Sequence, residues 1–189
     1  MDDLKGNNGD MNSQRIFLRR LRDDEADYRL LDGWCSQEEI YRYFEQRILS
    51  PEEIRQKYRP RTREDAAVPV YMIEYEGRPV GIVQYHRMDD ADGEWCGIRE
   101  DGAYEIDLFI GEAEARGRGI GRSCVELIGR HLFDEKGARM LVMCPVRDNV
   151  RAVRCYRRRG FEENRRFSAP DTLGKMQEYV YMTRTKHEE

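Results

Sequence analysis

A segment rich in glycine and arginine, R-G-R-G-I-G-R at 116–122, carries the residue types that bind a diphosphate. It follows the apolar run Y-E-I-D-L-F-I-G at 104–111, so a strand is expected to pass into a helix there. Backbone N–H groups at a helix start point outward with partial positive charge and bind phosphate oxygens. Glycine permits close approach of the backbone, and arginine keeps its charge at physiological pH. We predict an anion site at this turn; the alternative is ordinary helix-start chemistry with arginines facing solvent.

Two common nucleotide motifs are excluded at this segment. It has neither the G-K-[ST] ending of the P-loop nor the G-x-G-x-x-G spacing of Rossmann folds. A second segment, N-V-R-A-V-R-C-Y-R-R-R-G-F at 149–161, predicts a helix that begins at Asp148 or Asn149 and ends at Gly160. From periodicity alone, Tyr156 in this helix would be a core or surface aromatic.

A carboxylate interrupts the apolar run before the glycines. Strand alternation places Glu105, Asp107 and Phe109 on one face of that strand. A carboxylate within an apolar strand is costly unless it is hydrogen-bonded or faces a site. Asp107 therefore either faces solvent from a one-sided sheet or faces a bound cation, from which it could accept a proton.

The elements that must position these residues alternate between strands and helices. Two helix starts, Ser36 and Ser50, have capping-box patterns, and 89–94 is an acidic loop that is either a solvated turn or an attractor of polycations. The predicted strands are 14–21, 68–75, 80–87, 104–111, 138–144, 161–167 and 176–184, and the long helices are 23–34, 120–133 and 148–160. This order predicts a mixed α/β (α+β) sheet in one domain over 14–186, after a disordered tail at 1–13.

Composition narrows the class of protein. Of the 189 residues, 39% are apolar and 37% charged, with a net charge of −4. The balance argues against a dedicated nucleic-acid binder and suits a small cationic ligand. Five cysteines without a CxxC pair and three dispersed histidines indicate neither disulfides nor a metal site. No apolar run is long enough for a membrane span and the first residues are not those of a signal peptide, so we expect a cytoplasmic protein.

The patterns R-x-x-G-x-G at 116–121 and N-x-x-A-x-x-x-Y-x-x-x-G-F at 149–161 together resemble the GNAT superfamily of acetyl-CoA-dependent N-acetyltransferases. The resemblance implies a single-domain GNAT fold with helices flanking a mixed sheet, acetyl-CoA as co-substrate and no metal. It implies that main-chain amides at 116–121 hold the pyrophosphate and that Tyr156 protonates the departing thiolate. The cofactor-binding residues implied are Leu108, Phe109, Ile110, Arg116, Gly117, Arg118, Gly119, Ile120, Gly121, Arg122, Asn149, Ala152 and Tyr156.

Within that superfamily, I-D-L-F-I-G-E at 106–112 looks like the aminoglycoside 6'-N-acetyltransferases. The resemblance implies that Asp107 is the catalytic base and that a cationic amine is the substrate. The substrate-binding residues implied are Trp34, Tyr85, Asp107, Glu112 and Asp148.

This sequence departs from that group at two positions. Leu108 replaces a usual glutamine, and Cys144 stands where an aspartate often helps to hold the polyamine. Another acid would then take the place of that aspartate, with Asp148, Glu112 and the acidic segment 89–94 as candidates.

We expect direct acetyl transfer to an aminoglycoside amine, in a monomer or homodimer without nucleic-acid or membrane partners. Two alternatives stay open: a GNAT enzyme for another amine, such as a hydroxamate precursor, a peptide N-terminus or a lysine, and a coenzyme-binding sensor without turnover. His86 is interpreted as structural rather than as a base, and the cysteines as core residues.

Overall fold

The computed structural model describes residues 3–5, 15–98 and 100–186. Eight strands form one sheet in the order β1-β2-β3-β4-β5-β6-β8-β7. The strands are β1 (Leu4–Lys5), β2 (Ile16–Arg20), β3 (Val70–Tyr75), β4 (Arg78–Arg87), β5 (Ala103–Ile110), β6 (Met140–Met143), β7 (Glu162–Pro170) and β8 (Met176–Thr185). The α-helices are α1 (Glu25–Cys35), α2 (Glu38–Tyr41), α3 (Pro51–Tyr58), α4 (Asp90–Cys96), α5 (Ile120–Asp134) and α6 (Val150–Arg157), with 3-10 turns at Arg59–Thr62 and Ala113–Ala115.

β5 and β6 pair over only part of their length. These strands run parallel and pair at three positions, of which Glu105↔Val142 is the last along the chain. β5 continues to Ile110, whereas β6 ends at Met143. Among the described residues, 106–110 therefore have no strand partner on the β6 side, and a gap separates the two strands beyond Glu105.

Apolar side chains cover both faces of the sheet. On one face α5 buries Ile120, Cys124 and Ile128 against strand residues that include Ile106. On the other face α1 and α3 bury Leu31 and Ile54 against strand residues that include Met72, Ile82 and Phe109. A sheet flanked by helices confirms the predicted fold class.

Most predicted elements are present, and local backbone geometry and hydrogen bonds explain two of them. The hairpin β3–β4 turns at Glu76 and Gly77, which both have positive φ angles (52° and 76°). Ser50 accepts the N–H of Glu53 while the Glu53 side chain accepts the N–H of Ser50, which is the expected capping box.

Two local predictions were wrong. Ser36 ends α1 instead of starting a helix: its N–H donates to Asp32 O, and α2 follows Gln37 without a side-chain cap. The acidic segment 89–94 is not a loop, because Asp89 accepts from the N–H groups of Ala91 and Asp92 and so starts α4.

Part of the predicted disordered tail is ordered. Leu4 and Lys5 pair with Leu18 and Phe17, and the side chain of Leu4 is buried in the core, so these residues form a short edge strand. Residues 1–2 and 6–13 lie outside the described residues. No helix in the described part of the chain combines the length and apolar character needed to cross a membrane.

Candidate active site

The glycine-rich segment forms the entrance to α5. Gly117 and Gly119 have φ angles of 78° and 82°, a left-handed conformation that favours glycine. Gly119 is the N-cap of α5, no side chain caps this end of the helix, and its first turn contains no acidic residue. With no side-chain cap, the positive end of this 15-residue helix favours an anion there.

Arg116 has a structural role that the sequence did not reveal. Its Nε donates to Ile110 O at 2.9 Å and its Nη2 donates to Gly111 O at 2.8 Å. The same Nη2 also donates to Gln37 Oε1. The Arg116 guanidinium thus holds the end of β5, and the cofactor contact of Arg116 stays a prediction, whereas the side chains of Arg118 and Arg122 are exposed.

Asn149 begins α6, the helix predicted from the segment 149–161. Its side-chain oxygen accepts from Ala152 N at 3.2 Å, so Asn149 is the N-cap and the exposed Asp148 precedes it. This cap uses only the oxygen of Asn149, and the amide NH2 group is the part suited to a ligand acceptor.

Tyr156 lies buried on the inner side of α6, with its ring 6.1 Å from that of Phe161. Burial is the main cause that raises the pKa of Tyr156, with smaller effects from Cys155 and the Asp107 carboxylate. The Tyr156 hydroxyl therefore keeps its proton at neutral pH and has one to donate.

Asp107 is held by side chains that the sequence did not single out. Its Oδ2 accepts from Gln84 Nε2 at 3.2 Å, and Gln84 Oε1 in turn accepts from Arg61 Nη1 at 2.6 Å. Gln84 stands directly opposite Asp107 on β4 and is buried. Asp107 itself is half-buried on the face covered by α1 and α3, so it is a positioned carboxylate and not a simple solvent-facing one.

A second polar pair, His86 and Glu105, lies next to the first. These residues are also directly opposite each other on β4 and β5. Burial raises the pKa of Glu105 well above its usual range, and the charges of Asp107 and Asp92 add to the effect, whereas a hydrogen bond from the Cys144 thiol opposes it. The acid beside Cys144 is therefore Glu105, which strand alternation had put on the Asp107 face but which was not among the candidates.

Three of these side chains have a spacing that a metal ion could use. Ligand atoms of His86, Asp92 and Glu105 all lie within 4.8 Å of one another. However, Asp92 Oδ2 already lies 3.1 Å from His86 Nε2 and accepts the N–H of Asp89 at 2.8 Å. Metal binding requires deprotonated ligands, and burial favours the protonated form of Glu105. We therefore interpret these residues as a polar cluster.

Trp34 forms a wall at the end of β5. Its Nε1 donates to Glu112 Oε1 at 2.8 Å, and its ring meets Phe109 edge-on with centroids 6.2 Å apart. A Cβ on Gly111 would lie 2.2 Å from Trp34 Cγ, so only glycine fits there. Glu112 thus orients Trp34. The side chain of Phe109 belongs to the α1–α3 core, so only the backbone of Phe109 is left to contact a coenzyme.

Tyr85 does not join this group. Alternation along β4 puts its side chain on the α5 face, opposite to Gln84 and Asp107. Its hydroxyl lies 3.2 Å from His131 Nε2 in the core. Alternation in the sequence does not say which face of the sheet each side chain meets, so the predicted substrate contact of Tyr85 stays a prediction.

The chain is similar to known acetyltransferases in sequence and in fold. Over 165 residues the chain is 27% identical to the aminoglycoside N(6')-acetyltransferase type 1 of Klebsiella pneumoniae, which covers 86% of this chain and 80% of that protein. The solved structure of aminoglycoside acetyltransferase AAC(6')-Ib in complex with coenzyme A and kanamycin is 25% identical, with a TM-score of 0.75 over 90% of this chain and 95% of that chain. Spermidine N-acetyltransferase from Vibrio cholerae, with CoA and spermine, shares the fold at 18% identity, with a TM-score of 0.72 over 90% of this chain and 95% of that chain.

A family model provides the assignment. Residues 23–169 match the model described as Acetyltransferase (GNAT) domain, which includes the α5 entrance, Asp107 and Tyr156. This match extends over most of the chain. The protein therefore belongs to the GNAT acetyltransferase family.

Proposed function

We propose that this enzyme transfers the acetyl group of acetyl-CoA directly to the 6'-amine of an aminoglycoside. The observation that carries the proposal is the position of Asp107, a carboxylate held by Gln84 on the part of β5 that has no strand partner toward β6 among the described residues. The buried, neutral hydroxyl of Tyr156 on α6 is the proposed proton donor. Two of the three proteins named above are aminoglycoside acetyltransferases, and the solved structure of one of them contains coenzyme A and kanamycin.

The residues at the start of α5 fit the diphosphate of the coenzyme. The left-handed glycines at 117 and 119 and the uncapped first turn present main-chain N–H groups to an anion. A Cβ on Gly121 would lie 3.5 Å from Leu108 Cδ1, so the helix start packs close to β5. The backbone of 108–110 has no strand partner on the β6 side among the described residues and is suited to bind the pantetheine arm.

Bound acetyl-CoA supplies an acetyl thioester, and the residues of this chain supply the proton transfers. Asp107 attracts the ammonium of the acceptor and takes its proton, because only the neutral amine has a lone pair. Tyr156 is the buried proton donor for the leaving thiolate. The balanced reaction converts an ammonium and a thioester into an amide, a thiol and one proton.

The acceptor side of the gap is lined by acids and an aromatic wall. Trp34 and Glu112 stand at the end of β5, the strand that carries Asp107. Asp148 is exposed just before α6. This distribution of charge suits a ligand with several ammonium groups.

A thiol-release assay tests the proposal. We expect release of CoA with kanamycin-type acceptors that have a 6'-amine and none with matched aminoglycosides that have a hydroxyl there. Peptide amines, lysine and spermidine serve as competing acceptors. Faster turnover on one of them would overturn the aminoglycoside assignment, and coenzyme binding without thiol release on any amine would identify a non-catalytic binding protein.

A further inference from the structure

We propose that Glu105 and His86 form a relay that carries the proton accepted by Asp107 to the protein surface. The inference rests on the proposed acetyl transfer, because that reaction releases one proton for each acetyl group moved. With coenzyme and acceptor in the gap, the open side of Asp107 is covered by substrate, so the proton needs a route through the protein.

The route is a row of side chains on one face of two adjacent strands. The pairs Gln84·Asp107 and His86·Glu105 are successive cross-strand neighbours on that face. Residues two apart on a strand have Cα atoms about 6.6–6.8 Å apart and point the same way. The carboxyl groups of Glu105 and Asp107 are therefore neighbours, in agreement with the effect of Asp107 on the pKa of Glu105.

Protons can leave this row of side chains at only one end. At one end Gln84 binds both Asp107 and Arg61, and a carboxamide does not exchange protons at the acidity of a carboxyl group. At the other end the side chains of His86 and Asp92 are 24% and 22% exposed, so they meet solvent. A proton that leaves Asp107 within the protein thus passes toward His86.

Glu105 has the surroundings of a proton carrier. The titratable groups that face it are Asp107 on its own strand, His86 on β4, Asp92 and Cys96 on α4, Cys144 after β6 and Tyr181 on β8. Burial and the neighbouring carboxylates raise the pKa of Glu105, so the resting group holds a proton that it can hand on.

The transfer balances atom by atom. The O–H bond of Glu105 breaks as its proton moves to His86, and the other carboxyl oxygen of Glu105 takes the proton from Asp107. Glu105 is again neutral, Asp107 is again a carboxylate, and the imidazolium of His86 loses its proton to water beside Asp92. His86 Nε2 is 3.9 Å from Glu105 Oε2, a separation that a small side-chain rotation reduces to hydrogen-bond distance.

Chemical rescue of His86→Ala tests the relay. With the acceptor that gives the fastest thiol release, we expect kcat to fall about 10-fold or more, while the Kd of coenzyme A is unchanged. Added imidazole should restore kcat in a saturable way, because it replaces the missing proton carrier. Arg87→Ala is the matched control: Arg87 is the exposed neighbour that pairs with Asp101, and imidazole should not change its rate.

Glu105→Gln separates proton transfer from packing, since the carboxamide keeps size and hydrogen bonding but cannot relay a proton. It should lower kcat at least as much as His86→Ala, and imidazole should not rescue it. Wild-type rates in both variants, or a loss in His86→Ala that imidazole does not restore, would overturn the relay. If the wild type turns over a different amine and the rescue is still seen, the relay stands and the aminoglycoside proposal fails; absence of turnover on every amine contradicts both.

Discussion

The proposed coenzyme end of the gap is made by residues 116–122, which are neighbours in the sequence, whereas the proposed acceptor end is assembled from β4, β5 and the turn after α3. At the first end the proposed binding groups are backbone N–H groups exposed by Gly117 and Gly119. At the second end Asp107 depends on Gln84 and, through it, on Arg61.

This difference separates the two kinds of damage that a mutation can cause. Backbone N–H groups do not depend on side-chain chemistry, so the coenzyme end should be sensitive to backbone conformation. The acceptor end depends on which atom carries a proton, so isosteric amide substitutions should be severe there. Each prediction below tests one side of this contrast.

The largest effect is expected for Asp107→Asn. The amide cannot accept the proton of the ammonium, so kcat should fall about 10²–10⁴-fold, while the Kd of coenzyme A measured by calorimetry stays the same. The exposed Asp101→Asn is the control. Unchanged turnover across the pH range would remove Asp107 from the mechanism.

A smaller effect is expected for Gly119→Ala, at a φ of 82°. A side chain in the left-handed region costs about 1–2 kcal/mol, so if the strain is released by displacing the helix start, coenzyme A binds about 5- to 30-fold more weakly. Gly137→Ala, at a φ of 68° after the same helix and with nothing within 4 Å of the new Cβ, should lose similar stability but no coenzyme affinity. Equal coenzyme affinity in both variants would show that the entrance to α5 is not the binding site.

The difference in stability between wild type and Glu105→Gln should depend on pH. Burial raises the folded pKa of Glu105 above the usual 4.5, so the folded state binds the proton more tightly than the unfolded state does. Wild-type stability should therefore decrease as pH rises above about 4.5, and the variant should gain in Tm relative to wild type over that range, with about 2–4 °C for each kcal/mol. The exposed Glu114→Gln should show no such divergence; parallel Tm curves for wild type and Glu105→Gln would disprove the shift.

The smallest effect is expected for Glu53→Gln, in a cap built from nearby residues. The Arg47 side chain and then the Ser50 backbone and hydroxyl lower the pKa of Glu53 to about 2. Its contribution to stability is present above the usual pKa of 4.5 and is lost as pH falls toward 2. The free energy of unfolding, measured with urea between pH 6 and 2, should fall slightly less in acid for the variant than for wild type. An equally steep fall in both proteins would contradict this.

Predictions succeeded where they depended on residues close together in the sequence. The capping box at Ser50, the α5 entrance and the Asn149 cap depend on residues at most four positions apart, and the sequence predicted all three as helix starts. Ser36 failed because the end of α1 competes for the same residue, and 89–94 failed because an aspartate cap outweighs the loop-like composition. Tyr85 and Glu105 depended on which face of a strand meets the gap, which alternation alone leaves open.

The sequence by itself determined the order of strands and helices, the glycine-lined start of α5 and the family resemblance, because these follow from local backbone preferences and short motifs. Only the tertiary structure decided that β5 and β6 separate beyond Glu105, that Arg61 and Gln84 hold Asp107, and that Arg116 binds the end of β5. These features depend on the register between strands and on contacts across dozens of residues. The residues concerned meet only after the chain has folded, so no local pattern in the sequence predicts these contacts.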